Sequence, residues 1–212
     1  MNMKFLFLLW MIWMPFFHIS AQEELNAEES RKMITAICDA ASKIVTLQCD
    51  FKQDRQLSLL KTVMQSQGKM YYKGGKLLRW EYISPYTYTF ILNGDKVMLK
   101  SSQKTDVLDV KSSKMFQQIA RIMMNSVTGK CLSDAKDFEV TMYATKQEWI
   151  AKLVPRQKEL QQLFDYIRLH IDADRQMVVS VELIEKNGDA TTIEMVNVKK
   201  NMAIDDAIFS VK

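Results

Sequence analysis

Histidine, cysteine, glycine and proline are all scarce in this chain of 212 residues. Six glycines and three prolines exclude collagen-like repeats and long flexible linkers. Of the two histidines, only His170 lies beyond the first 21 residues, so few side chains are suited to acid–base catalysis near neutral pH. The remaining composition, with 48% hydrophobic and 25% charged residues, is typical of one globular domain and not of a disordered tail.

Catalytic motifs are missing as well. The sequence contains no G-x-S-x-G, H-E-x-x-H, P-loop or G-x-G-x-x-G pattern. His170 stands in a strand pattern, which is more typical of a hydrogen-bonded surface residue than of a catalytic base. Asp172 and Asp174 indicate a turn after that strand and not a pair of catalytic carboxylates. We therefore expect no catalysis, no cofactor and a function in binding.

The three cysteines, Cys38, Cys49 and Cys131, allow at most one internal disulfide, and the sequence leaves open whether any bond forms. Without a C-x-x-C pair or a companion histidine, a zinc site or other metal site is not expected. Cys49 falls among alternating apolar positions, which favours a small buried hydrophobic side chain.

The charge is nearly balanced, because 29 basic residues stand against 25 acidic ones. A net charge of +4 is too small to predict a nucleic-acid partner. Lys61, Lys69, Lys73 and Lys76 could contact anionic headgroups or an acidic partner, although a solvated face is the simpler interpretation.

The first 21 residues resemble a secretory signal peptide. Lys4 supplies a positive start, the segment from Phe5 to Phe17 is apolar apart from Pro15, and a small residue follows at Ala21. The alternative, a membrane anchor, would need about 20 apolar residues. We predict cleavage after Ala21, so that residues 22–212 form a single exported, soluble domain.

A helix is predicted from about Ala27 to Lys43. Asn26 and Glu29 have the side chains of a capping box at its start. Apolar residues recur at intervals of three and four and form one stripe: Met33, Ile37, Ala40, Ala41 and Ile44.

Alternating apolar residues then predict a series of strands. Leu47, Cys49 and Phe51 share one face of the first. The apolar faces of the next three are Met64, Gly68, Met70 and Tyr72; Leu78, Trp80 and Tyr82; and Tyr86, Tyr88, Phe90 and Leu92. Asn93-Gly94 is a two-residue hairpin signal that leads into a fifth strand with Val97 and Leu99. Short connections favour a meandering antiparallel sheet.

A second helix is expected to interrupt the strands. Ser113 would cap it, Gly129 lies just beyond its end, and its apolar stripe contains Met115, Ile119, Ile122 and Met123. Five more strands follow at Phe138–Tyr143, Trp149–Val154, Phe164–Ile171, Met177–Ile184 and Ala190–Val198, with Asn187-Gly188 in the last turn.

Methionine is abundant, with 15 residues in the chain, of which four precede Ala21. Flexible, polarizable methionines are common on surfaces that accept varied apolar ligands. Two amphipathic helices can be packed on a large apolar sheet face in two ways. Either the helices pack tightly over a solid core, or they form a loose lid over a cavity.

The series of motifs resembles the periplasmic outer-membrane lipoprotein carrier (LolA) family. The resemblance spans almost all of residues 22–212 in order. Phe51-Lys52-Gln53 matches the family's F-x-Q, and Leu78-Arg79-Trp80-Glu81-Tyr82 with Pro85 is similar to its aromatic-R-W-x-Y…P segment. Further similar elements are Gly68 to Tyr72, Ile91 to Val97, Leu153-Val154-Pro155, Ile171-Asp172 and Asp206-Ala207-Ile208-Phe209.

The resemblance implies a mainly β fold of the α+β class: an unclosed antiparallel β-barrel of about eleven strands with an α-helical lid over an apolar cavity. It also implies a monomeric periplasmic carrier of acylated lipoproteins or a related lipid. An inner-membrane ABC transporter would be the donor, and the acceptor would lie at the outer membrane. One departure concerns the lid latch: many family members carry Arg-Pro where this chain has Gly74-Gly75. Either the latch is elsewhere, or apolar contact alone holds the lid.

Twelve residues are predicted to face the acyl-binding cavity. The sheet contributes Phe51, Met64, Met70, Leu78, Trp80, Tyr82, Phe90 and Leu92, and the helices contribute Met33, Ile37, Ile119 and Met123. Two other functions compete with the carrier: a periplasmic regulatory module that senses lipids or lipoproteins, and, last in rank, a secreted hydrolase.

Overall fold

One antiparallel sheet dominates the fold. A computed structural model describes residues 23–74, 76–109, 122, 124–125, 129, 132, 136–145 and 148–211. The strands in these residues are β1 (Glu23–Glu24), β2 (Thr46–Leu57), β3 (Thr62–Lys73), β4 (Leu77–Ser84), β5 (Tyr88–Asn93), β6 (Lys96–Ser101), β7 (Thr105–Asp109), β8 (Phe138–Ala144), β9 (Glu148–Pro155), β10 (Phe164–Asp172), β11 (Met177–Glu185) and β12 (Ala190–Lys200).

The order of the strands is β1-β8-β9-β10-β11-β12-β2-β3-β4-β5-β6-β7. Two meanders, β2 to β7 and β8 to β12, are therefore joined side by side through the β12–β2 pair. The described part of the chain shows no pairing between the edge strands β1 and β7, so the sheet is not closed. Apart from the two-residue β1, eleven strands remain, which confirms the predicted fold class.

The helix α1 spans Ala27–Ser42, within one residue of the prediction. The Asn26 Oδ1 atom accepts hydrogen bonds from the backbone N–H groups of Glu28 and Glu29, both at 3.0 Å. The Glu29 carboxylate accepts one from the Asn26 backbone N–H at 3.3 Å, which completes the predicted capping box. The second predicted helix lies mostly outside the described residues, including Ser113, Met115, Ile119 and Met123; Ile122, Met124 and Asn125 are helical.

No helix within the described ranges is both long enough and apolar enough to cross a bilayer.

Several elements differ from the prediction. Tyr86 lies in the connection before β5 and not in a strand, because the chain bends at Pro85 and Tyr86. A short helix, α2 (Lys158–Gln161), was not predicted.

Strands β1 and β7 carry no clear alternation of apolar residues, which is why the sequence pattern did not indicate them. In the β5–β6 hairpin, Asn93 pairs with Lys96, so the two-residue loop is Gly94-Asp95 and not Asn93-Gly94. Gly94 has a φ of 59°, a conformation that glycine adopts without strain.

The sheet has an apolar face, which we define by the buried side chains that alternate along its strands. Its members in the first meander are Leu47, Cys49, Phe51, Met70, Tyr72, Leu78, Trp80, Tyr82, Phe90, Leu92, Val97 and Leu99. The second meander continues the same cluster with Met142, Leu153, Ile167, Leu169 and Val181. Ile37 of α1 belongs to the cluster as well and is fully buried. The predicted alternation is therefore confirmed over most of its length.

The opposite, outer face carries a second and smaller cluster, in which Phe209 packs with Ile91 and Met98. Phe209 belongs to a 3-10 turn, Asp206–Phe209, that crosses β4 and β5. Lys73 Nζ lies 2.6 Å from an Asp206 carboxylate oxygen, and Arg79 donates a hydrogen bond to the Ile208 carbonyl at 3.1 Å. The D-x-x-F element of the sequence therefore closes the outer side of these strands.

Gly68 in β3 allows the Phe51 ring to lie against its backbone. A Cβ at this position would overlap the Glu81 carbonyl oxygen and would lie 2.7 Å from two Phe51 ring carbons. No larger residue fits here unless β4 or the Phe51 ring moves.

Gly68→Ala is expected to lower the free energy of unfolding by about 3 kcal/mol, because backbone and ring must both shift. The matched control is Gly74→Ala, whose Cβ would meet nothing within 4 Å. Because Gly74 has a φ of 60°, Gly74→Ala should lower the free energy of unfolding by about 1 kcal/mol through backbone conformation alone. Urea unfolding of both variants measures the difference, and equal losses would contradict the steric role of Gly68.

The thiol of Cys49 is buried in the apolar face beside Met70. Burial, with a smaller contribution from the Asp50 charge, raises the pKa of Cys49 to about 12. Between pH 9 and 12 the unfolded chain has therefore lost a proton that the folded chain keeps. The contribution of this group to stability is complete below pH 9 and is lost as the pH rises.

Replacement of Cys49 by alanine should remove this dependence. From pH 9 upward, the free energy of unfolding of the unmodified protein should fall more steeply than that of Cys49→Ala, by about 1.4 kcal/mol per pH unit. Chemical unfolding at intervals from pH 8 to 11 measures both slopes. Parallel curves would show that the thiol does not titrate in this way.

Candidate functional site

The structure brings together seven of the eight predicted sheet residues. The backbone register places them in three rows across the strands, each row on the apolar face. The rows are Phe51, Gly68 and Tyr82; Met70, Trp80 and Phe90; and Tyr72, Leu78 and Leu92. Met64 shares the face by alternation but lies near the far end of the β2–β3 hairpin, where it is 49% exposed and does not join the cluster.

Aromatic contacts hold the centre of the face. The Phe51 and Trp80 ring centroids are 4.4 Å apart, and the Tyr82 ring meets Phe51 edge-on at 5.2 Å. Each such pair contributes about 0.5–1.5 kcal/mol beyond its burial. Tyr86 and Tyr88 extend the row, with ring centroids 5.5 and 6.4 Å from that of Tyr82. The face thus ends in a group of tyrosines.

Polar atoms are few on this face. The Tyr82 hydroxyl donates a hydrogen bond of 2.9 Å to the Gln53 side-chain oxygen. Burial, with a smaller effect from Tyr86, raises the pKa of Tyr82. The buried Nε1–H of Trp80 lies near this hydroxyl, and its proximity partly offsets that rise. Among the described residues, however, no acceptor meets the N–H with hydrogen-bond geometry. Gln53 belongs to the F-x-Q motif but is not one of the twelve predicted cavity residues.

Helical residues cover the apolar face. Ile37 is fully buried in the cluster, and Met33 packs against it with part of its surface exposed. Ile122 and Met124 also belong to the cluster, whereas the predicted Ile119 and Met123 lie outside the described residues. The predicted residues of the sheet therefore pack within this cluster, and α1 lies mainly against β8 and β11 of the second meander. An acyl chain would have to displace part of this packing.

Two pockets lined by described residues lie elsewhere. One of about 840 Å³, lined by Gln48, Asp50, Lys69 and Tyr71, lies on the outer face beside the Asn197 bulge of β12. Another of about 470 Å³ lies between the outer face of β4 to β6 and the 3-10 turn near the C-terminus. Neither is lined by the predicted aromatic residues of the apolar face.

Two of the three basic residues near Gly74, which are Lys73, Lys76 and Arg79, point away from the apolar face. Lys73 and Arg79 both lie on the outer face, where the segment around Asp206 and Ile208 binds them. A basic side chain that held the helical cover would have to project from the apolar face. Contact between apolar side chains, such as Ile37 with the sheet, therefore fits the described residues better than a relocated arginine latch.

His170 is also on the outer face. Its Nδ1 atom lies 2.8 Å from a Glu148 carboxylate oxygen, and its Nε2 atom lies 3.3 Å from one of Glu182. Arg168 contacts the same Glu182 at 3.3 Å. His170 is thus a hydrogen-bonded residue on the outer face of its strand, as the strand pattern indicated. The described residues hold no group of three or more side chains that could bind a metal ion.

The comparisons with known proteins agree with the fold. Solved structures with similar folds include the Pseudomonas aeruginosa MucA/MucB complex, with a TM-score of 0.52 at 11% identity over 87% of this chain and 61% of that chain. An uncharacterized conserved protein from Thermus thermophilus has a TM-score of 0.51 at 11% identity, over 85% and 92%. A LolA superfamily protein from Nitrosomonas europaea has 0.46 at 10% identity, over 84% and 97%. Such low identities show a shared fold only.

No curated protein matches the chain. The family model of the outer membrane lipoprotein carrier protein LolA, however, matches residues 42–212, a range that contains all strands of both meanders. The motif resemblance in the sequence is thereby confirmed. The chain belongs to the LolA family of outer membrane lipoprotein carrier proteins.

Proposed function

We propose that this protein is a periplasmic carrier that shelters the acyl chains of a lipoprotein, or of a related lipid, against its apolar face. The observation that carries the proposal is the contiguous face formed by Phe51, Met70, Leu78, Trp80 and Leu92 on a sheet that does not close. Membership of the LolA family and the signal-peptide-like first 21 residues support the same function.

The free energies favour exchange between the cover and an acyl chain. Each methylene group withdrawn from water contributes about 0.8 kcal/mol, so a chain of roughly 15 methylenes gains on the order of 12 kcal/mol before costs. Of the 16 residues in α1, only Ile37 and Ala41 are buried. Exposure of a buried isoleucine costs about 2–3 kcal/mol. In this proposal the acyl chain separates α1 from the sheet at a small cost, and the helix packs against β8 and β11 again after release.

The polar groups of the face suit the end of an acyl chain that carries its ester or amide. The unpaired N–H of Trp80 would donate to the carbonyl oxygen of such a group, and the Gln53–Tyr82 pair lies next to it. Satisfaction of a buried donor favours the bound state, because an unpaired one costs about 1–3 kcal/mol. In this proposal an inner-membrane ABC transporter is the donor of the cargo and the outer membrane holds the acceptor.

Tryptophan quenching by brominated acyl chains tests where the cargo binds. Residues 22–212 contain two tryptophans, Trp80 in β4 and Trp149 in β9, which are six strands apart in the sheet. A Trp149→Phe variant reports on Trp80 alone, and a Trp80→Phe variant reports on Trp149 alone. We expect a fatty acid brominated along its chain to quench Trp80 strongly, because the proposal places the chain against the Phe51–Trp80 contact.

The non-brominated fatty acid serves as the control and should leave the emission of both variants unquenched. Thermal unfolding first establishes that each phenylalanine replacement is folded. If the brominated chain binds without quenching Trp80, the acyl chain lies elsewhere and the proposed site is wrong.

Protein purified from the periplasm of its own host tests the carrier function directly. Native mass spectrometry should show a co-purified lipid or acylated polypeptide that exchanges with added lipid. Affinity capture should recover an ABC transporter. Recovery of a membrane-bound regulator in its place, without exchangeable lipid, would support a regulatory module and would contradict the carrier.

A further inference from the structure

The β2–β3 hairpin ends in a group of exposed apolar side chains. Leu59 is 93% exposed, Leu60 69%, Val63 53% and Met64 49%. Leu59 and Leu60 lie in the four-residue turn at positions 58–61, and Val63 and Met64 follow at the start of β3. We call these four residues the apolar tip. Single exposed apolar residues are common, but four within six positions at the end of a hairpin of two 12-residue strands are not.

The apolar tip is held in place from its base. The backbone N–H of Ser58 donates to Asp189 Oδ1 at 3.0 Å, and the Ser58 hydroxyl donates to the Asn187 carbonyl at 3.1 Å. Arg55 lies 3.4 Å from Glu185 and 3.5 Å from Asp189. The turn between β11 and β12 therefore fixes the start of the hairpin loop, so the two leucines are presented to solvent with little loss of backbone entropy on docking.

The one charge within the apolar tip segment itself is positive. Lys61 is the only charged residue between Gln56 and Gln65. The nearby acidic groups, Glu185 and Asp189, are already engaged by Arg55 and Ser58. An incoming surface thus meets two leucines with one free cation directly beside them.

The size and the charge of the apolar tip together indicate what kind of partner it binds. Stable protein–protein interfaces bury about 800 Å² per partner, contributed by roughly 20 residues or more, which four side chains at the end of a hairpin do not supply. Leucines flanked by a lysine match a bilayer, where acyl chains lie just beneath anionic headgroups. We propose that the apolar tip docks on a lipid bilayer, with Leu59 and Leu60 inserted among the acyl chains and Lys61 at the headgroups.

Vesicle flotation tests the proposal with vesicles of phosphatidylethanolamine and phosphatidylglycerol in a ratio of about three to one, a composition chosen for its anionic surface. Replacement of both leucines, Leu59→Ser with Leu60→Ser, should reduce the fraction bound at least tenfold, because each inserted leucine favours binding about tenfold or more. The matched control is Val45→Ser with Met202→Ser. These residues are 61% and 53% exposed. Val45 lies at the other end of β2, about 40 Å from the tip. The control should bind as the unmodified protein does.

Lys61→Gln separates the charge from the apolar contact. It should weaken binding to the anionic vesicles and leave binding to neutral phosphatidylcholine vesicles unchanged. A Leu59→Trp variant gives a second measurement, since its emission should shift to shorter wavelength when these vesicles are added.

The proposal is overturned if the unmodified protein does not float with vesicles, or if the double leucine variant floats equally well. A double leucine variant that loses transfer to a purified acceptor protein, while vesicle binding is unchanged, would show that the apolar tip serves a protein partner. Binding of brominated fatty acid is measured on the same variants and should not change. Failure of docking is therefore distinguishable from failure of the carrier function.

Discussion

An antiparallel sheet that does not close, and whose one face is apolar, must be covered by something other than itself. In this protein that constraint falls on the face centred on Phe51 and Trp80, which water cannot solvate favourably. Helix α1 packs mainly on the continuation of this face in β8 and β11, and Ile122 and Met124 belong to the same buried cluster. The proposed acyl chain would meet the same requirement, because an apolar ligand of suitable shape also removes this face from water. In that proposal, empty and loaded states differ in what covers the face and not in the architecture of the sheet.

Local features of the sheet preserve this face. Gly68 leaves room for the Phe51 ring, and the aromatic contacts of Phe51 with Trp80 and Tyr82 depend on that ring position. Charged residues of the same strands, such as Arg79 and Lys73, are directed to the outer side by the strict alternation of a pleated strand. The outer side in turn uses them to bind the segment near the C-terminus. Neighbouring residues of one strand thus serve apolar packing on one face of the sheet and polar contacts on the other.

Much of this arrangement could be predicted from the sequence, because a period of two determines which side chains share a face. On that basis Met70, Leu78 and Trp80 were predicted to share one face of the sheet, and the strand register places them on the same face. Met64 follows the same alternation and was therefore predicted to face the cavity. Alternation cannot show, however, that the end of the β2–β3 hairpin extends beyond the buried cluster, where Met64 is exposed. The loop at Gly94-Asp95 was misplaced by one residue because Asn93 is equally suited to a turn and to a strand end. The packing of Phe209 on Ile91 depends on residues more than 100 positions apart, which no local pattern reveals.

The segment that ends in Phe209 also determines which parts of the molecule can rearrange. Strands β4, β5 and β6 are packed on one side by the aromatic cluster and on the other by Phe209 and Ile208. A layer that is filled on both sides resists bending, since any distortion would open voids in two places at once. Among the described residues, helix α1 has no such second layer and contributes only two buried residues. If the protein carries lipid as proposed, structural change during uptake and release is therefore expected in the helical layer, while these strands keep a constant shape.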